Sequence, residues 1–204
     1  YRYGSDARVL THLDLDRAIA AGDERIDNAG SVIFIQCVGS REPDRPYCSK
    51  VCCTHSIKSA IAFKNKNPDT GVYILYRDIR TYGRRESLYK EAREKGVIFI
   101  RYEKDRKPAV REEDGTLWVT ARDHILDVDI DIQVDLLVLA SAIIPRDNES
   151  LAQMFKLSCN SDNFFNEAHA KLRPVEFATA GVFLAGMAHY PKPIEESIAQ
   201  AAAA

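Results

Sequence analysis

No G-x-G-x-x-G string occurs anywhere in the 204 residues. The glycine turn that lets a dinucleotide pyrophosphate approach a helix N-terminus therefore has no candidate in this chain. No apolar run reaches the ~20 residues that a membrane-spanning helix needs, so direct membrane insertion is not expected. Basic charge is not in excess: 28 lysines and arginines stand against 30 aspartates and glutamates, for a net charge of −2. That balance excludes the electrostatic footprint of a nucleic-acid binder. Cysteine is sparse, five in number and odd, which excludes a disulfide-built scaffold. A secretory leader is absent, and so is an initiating methionine. With an alanine run at its C-terminus, the chain reads as a fragment of a longer protein.

The few cysteines are not scattered. Cys37, Cys48, Cys52 and Cys53 fall within 17 positions. Val32-Ile-Phe-Ile35 is a continuous β-branched and aromatic run, the pattern of a strand buried on both faces, and Cys37 ends it. Turn-forming residues follow from Arg41 to Tyr47, and the next helix, from about Ser49 to Lys66, opens with the other three. Four thiolates at one strand-to-helix junction suit a soft metal centre better than a phosphate. Cys48 and Cys52, four apart, share a helix face, whereas Cys53 is rotated by about 100° and needs an irregular helix start to reach the same centre. The helix N-terminus would offset part of a cluster's negative charge, with Arg41, Arg45 and Lys50 close in sequence. Spacing alone leaves three readings open: a 4Fe–4S cluster, a structural zinc whose usual paired C-x2-4-C ligands are lacking, and structural or redox thiols. Cys159 stands apart and is expected to be a half-buried thiol.

The surrounding pattern is α/β. Residues 1–30 read as a polar connector with one short helix around Leu13–Ile19. Residues 31–145 read as a Rossmann-like domain carrying the cysteines. Its strand at Val72–Tyr76 is followed by a helix over Arg84–Lys95, stopped by Gly96, and a strand at Val97–Ile100. Then come a hairpin turning at Asp114-Gly115, an alternating strand within His124–Val134, and a buried strand at Asp135–Ala140. The expected fold is thus a parallel sheet with an inserted antiparallel β-meander, a layout similar to the NAD(P)-type domain of two-dinucleotide-domain flavoproteins. Residues 146–204 differ: a strand is expected to end at Gly186 and a helix to start near Pro193.

The strings Phe34-Ile-Gln-Cys-Val-Gly-Ser-Arg41 and Tyr47-Cys-Ser-Lys-Val-Cys-Cys-Thr54 resemble the A subunit of heterodisulfide reductase and its relatives. The resemblance continues through Leu75–Gly83, Ala168–Pro174 and Gly181–Gly186. It implies a cytoplasmic iron–sulfur flavoprotein with a thioredoxin-reductase-like core, working beside other iron–sulfur redox subunits. It implies that Cys37, Cys48, Cys52 and Cys53 bind a 4Fe–4S cluster near FAD, and it places Lys58 by the flavin N5; Lys58 reads equally as a solvated helix charge. The C-terminal segment resembles the closing FAD motif T-x-x-G-h-F-h-A-G-D at Thr179, Gly181, Phe183, Ala185 and Gly186. Met187 replaces the final aspartate, whose carboxylate would accept a ribityl hydroxyl. Gly186, Met187, Pro193 and Ile194 are then the flavin-facing residues, with His189 or Lys192 as substitute anchors, and FAD is expected in the complete protein rather than in this chain alone. Two rivals stay open: a zinc-stabilised α/β interaction module without redox activity, and a pyridine nucleotide-disulfide oxidoreductase-like domain. Glu195-Glu196 reads as a helix-start charge pair, His55 as an exposed helical histidine, and Asp127, Asp129 and Asp131 as solvated charges on one strand face.

Overall fold

The computed structural model describes residues 1–204 and divides into two compact units. The first comprises residues 1–38 and 52–141, the second residues 39–51 and 142–204.

The first unit begins with β1 (Val9–Thr11), α1 (His12–Ala21), the short α2 (Glu24–Asp27) and β2 (Ser31–Val38). It continues from α3 (Cys52–Lys66) through β3 (Gly71–Tyr76), α4 (Glu86–Glu94) and β4 (Ile98–Arg101). A meander of β5 (Ala109–Glu113), β6 (Thr116–Asp123) and β7 (Val128–Val134) precedes β8 (Leu136–Ser141). Five parallel strands run in the order β1-β8-β2-β3-β4, and β5-β6-β7 form a separate antiparallel sheet.

Alternation along β2 builds two cores. Val32 and Phe34 face the helices, packing with Leu15, Ile57, Phe63 and Val138. Ile33 and Ile35 face the other way, with Leu75, Leu117, Val119 and Leu137. Burial on both faces is why β2 and β8 read as unbroken apolar runs. The β5–β6 turn is tight because Asp114 and Gly115 both adopt positive φ, 50° and 79°. This is the handed turn that matches strand twist. The alternating aspartates in and just before β7 are paired with arginines of β5 and β6. Asp131 takes two 2.9 Å hydrogen bonds from Arg111, and Asp127 and Asp129 pair with Arg122.

Residues 1–30 are not merely a connector. β1 pairs with β8 as an edge strand, and α1 carries a Thr11–Asp14 capping box and a Gly22 C-cap at φ 67°. A three-residue strand with two buried side chains is too brief to show a period in the sequence.

From β2 the chain steps to β3 and β4 on one side, whereas β8 and β1 lie on the other. The order reverses between β2 and β8, and in open α/β sheets ligands bind beyond the strands' C-terminal ends at such a point. There the pairing slips. Ile35 opposes Leu139 but Val38 opposes Ser141, so Gln36 and Cys37 together face the single residue Ala140. This is a β-bulge, and Cys37 within it has φ 60°.

The second unit holds α5 (Glu149–Phe155), α6 (Ile194–Ala203) and a small core of Phe165, Phe177 and Leu184, against which Ala152 of α5 packs. Segment 39–51 belongs here because Tyr47 and Ser49 anchor it. The Tyr47 hydroxyl donates to the Ile143 carbonyl at 3.0 Å, its ring meets Phe164 edge-on at 5.2 Å, and Ser49 Oγ accepts from the Ile143 N–H at 3.0 Å. The strand expected to end at Gly186 does not form. Only the isolated Glu176–Phe183 bridge is present, and a 3-10 turn spans Gly186–Ala188. Gly181 and Gly186 both take positive φ, which breaks the extended run.

Candidate functional site

Three of the four clustered cysteines lie in the first unit. Cys37 sits in the β2 bulge and is buried. Cys52 and Cys53 open α3, which starts three residues later than the sequence suggests, and they pack with Ala140 in a small buried cluster. Since Ala140 is the residue facing the bulge, the two cysteine-bearing elements meet at the β2–β8 switch point. The first-turn N–H groups of α3 have no partner within the helix, and no acidic residue stands in that turn. A bound anion would meet no opposing carboxylate there.

Cys48 belongs to the second unit. Its sulfur accepts the Lys50 N–H at 3.3 Å, within a turn where Lys50 adopts φ 58°. Cys53 Sγ donates to the Asp78 carbonyl at 3.7 Å, as a thiol does. No disulfide joins any of the five cysteines, and no three His, Cys, Asp or Glu side chains stand in metal-holding geometry. Thiolate is the donor that iron–sulfur clusters take, supplied by Cys37, Cys52 and Cys53 in the first unit and, separately, by Cys48 in the second, where its sulfur already accepts one N–H. Cys159 is exposed rather than half-buried. It lies in a polar turn, pairing through its backbone with Phe165, so no apolar surface closes over it.

Lys58 is exposed on α3, one and a half turns beyond Cys53. His55 is not a bare surface histidine: its Nε2 meets Asp16 at 3.0 Å and its ring stacks on His12 at 4.3 Å.

In the second unit, Gly186 has φ 70° and donates its N–H to Gln200 Oε1 at 2.9 Å. Met187 and Ile194 are exposed, and Pro193 caps α6 with no side-chain hydrogen bond. Glu195 and Glu196 fall in that first turn. Lys192 is almost fully buried and donates to Gln200. Burial and the nearby Lys50 charge push its pKa down. His189 is held between Glu167 at 2.7 Å and Lys192 at 3.2 Å, and burial lowers its pKa. Lys50 and Lys192 lie over the Tyr190 ring at 4.3 and 4.1 Å.

A group that sequence reasoning missed is the buried trio Gln36, Ser56 and His12. Ser56 Oγ lies 2.6 Å from Gln36 Nε2 and 2.7 Å from His12 Nε2. A glutamine inside an otherwise apolar strand run was the available signal.

No family model matches the chain. Over all of its length it is 40% identical to the A subunit of the H(2):CoB-CoM heterodisulfide,ferredoxin reductase of Methanothermobacter marburgensis. Over 98% of its length it is 40% identical to the iron–sulfur A subunit of the CoB–CoM heterodisulfide reductase of Methanocaldococcus jannaschii. It spans 33% of the length of each of these relatives. Among solved structures, the HOCl-induced flavoprotein disulfide reductase RclA from Escherichia coli matches 84% of this chain and 34% of its own, with TM-score 0.53 and 13% identity. Thioredoxin reductase of T. acidophilum matches 83% of this chain and 48% of its own, with TM-score 0.51 and 14% identity. These two likenesses establish the fold, an α/β architecture of the kind found in flavoprotein disulfide reductases. Along its whole length, the chain is similar to a stretch that makes up one third of the A subunits of heterodisulfide reductases.

Proposed function

We propose that this chain is the cluster-bearing part of an electron-transfer iron–sulfur flavoprotein, an oxidoreductase component related to the A subunit of heterodisulfide reductase. The observation that carries the reading is the bulge. Where a nucleotide-binding fold would place glycines, Cys37 faces Ala140, and Ala140 packs on Cys52 and Cys53. Cys37, Cys48, Cys52 and Cys53 are the proposed ligands of a 4Fe–4S cluster. Such a cluster takes up and releases single electrons when bound. The chain's own part is to hold the thiolates, screen them from water through burial of Cys37, Cys52 and Cys53, and balance their charge with the α3 N-terminus.

FAD is the proposed second cofactor of the complete protein. Gly186, Met187, Pro193 and Ile194 would face the flavin, and the positive dipole end of α6 would favour the anionic reduced ring. Lys58, exposed on the cysteine helix, is proposed as a contact to the flavin N5. The relatives' names describe subunits, and other iron–sulfur redox subunits are the proposed partners. No helix is long and apolar enough to cross a membrane, and the cytoplasm is the proposed location. Zinc-stabilised packing without redox activity is less well supported, since no C-x2-4-C pair of pairs is present. The test is anaerobic purification of the complete protein, with iron and acid-labile sulfide counts and EPR after reduction. About four irons and four sulfides attributable to this cysteine set support the reading. Zinc without sulfide would overturn it.

A further inference from the structure

Gln36 is fully buried and directly precedes Cys37 in the bulge. Its side chain reaches Ser56 Oγ at 2.6 Å, and Ser56 lies one helical turn after Cys52 and Cys53 on α3. His12 Nε2, on α1, meets the same hydroxyl at 2.7 Å. The Gln36 peptide oxygen is fixed separately, accepting the Tyr102 hydroxyl at 2.5 Å. One atom of this network is unsatisfied: Gln36 Oε1 is buried and has no hydrogen-bond partner. An orphan of this kind carries the full desolvation penalty of the group, and a native fold retains one only for a reason.

The network can run in two directions. In the first, Gln36 Nε2 donates to Ser56 Oγ, the Ser56 hydroxyl donates to His12 Nε2, and Gln36 Oε1 is stranded. In the second, His12 Nε2–H donates to Ser56 Oγ and the Ser56 hydroxyl donates to Gln36 Oε1. The carboxamide then turns both of its N–H groups toward the place where Oε1 stood. Either direction leaves one end of the amide without a partner inside the fold. What lies beyond that end decides which is adopted. Gln36 itself stands in the bulge opposite Ala140, on which Cys52 and Cys53 pack. Ligated thiolates and inorganic sulfides only accept hydrogen bonds, so a sulfur-rich centre selects the second direction.

We propose that Gln36 is an N–H donor to the sulfur of the cluster centre, and that Ser56 and His12 hold its amide in the donating orientation. This rests on the iron–sulfur reading above. Gln36 is thus a positioning and tuning residue. Its N–H groups favour the more negative, reduced state of the centre, so they raise its reduction potential. Burial lowers the pKa of His12, which keeps the imidazole neutral and able to present either tautomer to Ser56.

The test uses the complete protein, purified anaerobically, with Gln36→Met, Gln36→Glu and Ser56→Ala. Iron and sulfide are counted in each, and the midpoint potential is read by EPR-monitored redox titration. Gln36→Met removes the donors at similar volume. The reduced-to-oxidised ratio at fixed ambient potential should fall about tenfold, which is about 59 mV for a one-electron couple. Gln36→Glu should lower it further by adding negative charge, and Ser56→Ala, which frees the amide to reorient, should move it part way. Ser56→Ala is mild enough to retain the cluster even if a Gln36 variant does not. Unchanged midpoints in iron-replete variants would overturn the role of Gln36 while leaving the cluster intact. A wild-type protein without iron or sulfide would overturn the cluster reading and this inference together.

Discussion

The imidazoles of His12 and His55 stack at 4.3 Å, the first buried and the second anchored to Asp16. Burial, and next the charge of the neighbouring ring, depress the His12 pKa to about 3. His12 also begins α1, where the helix dipole opposes a positive charge. The unfolded chain therefore takes up a proton below about pH 6.5 that the native state refuses. Stability is complete above that pH and is lost as the pH falls toward 3, by up to about 1.4 kcal/mol per pH unit. Asp6 and Asp131, whose pKa values are lowered to about 2, lose their contribution only below the usual carboxylate range, so in the window from pH 6.5 to 4.5 the acid-sensitive groups are His12 and His189, whose pKa burial also lowers, and replacing His12 separates the two. Urea midpoints across that window should fall for the wild type and stay flatter for His12→Gln, which keeps a hydrogen bond to Ser56 without titrating. Parallel slopes would show that His12 is not the acid-sensitive group.

The cysteines divide four to one. Cys37→Ser, Cys52→Ser or Cys53→Ser in the complete protein should each remove most of the iron assigned to this set, because a hard alcohol replaces a soft thiolate ligand. Cys48→Ser should do the same. Cys159→Ser should leave iron and sulfide counts unchanged, since Cys159 is exposed in a polar turn of the second unit. Equal iron loss in the Cys159 variant would mean that the ligand set is misassigned.

Nicotinamide nucleotides should not bind the 204-residue chain tightly. A pyrophosphate would have to approach the start of α3, where the glycine positions are taken by side chains, among them the buried Cys37, Cys52 and Cys53. Fluorescence titration with NADH and NADPH should show no saturation at micromolar concentrations. Saturation there would mean that another part of the surface makes a site.

The parallel sheet was readable because β2 and β8 are buried on both faces, which writes continuous apolar runs into the sequence. The meander was readable from the Asp114-Gly115 turn and the alternation of β7. Chain positions of the four cysteines were equally plain, but the bulge that joins Gln36 and Cys37 against Ala140 was not. A bulge is a mismatch between two strands about 100 residues apart, and neither strand alone records it. β1 escaped notice for a related reason: its partner β8, rather than its own composition, makes it a strand. The failure of the strand before Gly186 has a local cause, positive φ at Gly181 and Gly186, which composition signals only as two glycines. The His12–Ser56–Gln36 network depends on three elements meeting, and periodicity carries no trace of such a meeting.

Met187 offers the sharpest test of the flavin reading. It follows Gly186, whose φ of 70° sets the backbone direction, and it is half exposed at the start of a 3-10 turn rather than packed in the core. A thioether is a weak acceptor, whereas a carboxylate there would take a charge-assisted hydrogen bond from a ribityl hydroxyl, stronger than a neutral one. Exposure means that Met187→Asp should fold normally, with little change in unfolding midpoint. In the complete protein the substitution should tighten FAD about tenfold, the effect of about 1.4 kcal/mol from one such bond. Flavin retained after dialysis against a chaotrope, followed by absorbance, reads the change. Gly186→Ala should act oppositely, since a Cβ at positive φ strains the turn by about 1 kcal/mol and shifts the Gly186 N–H away from Gln200. If Met187→Asp leaves retention unchanged while Gly186→Ala lowers it, the turn matters to FAD but position 187 does not face the ribityl chain.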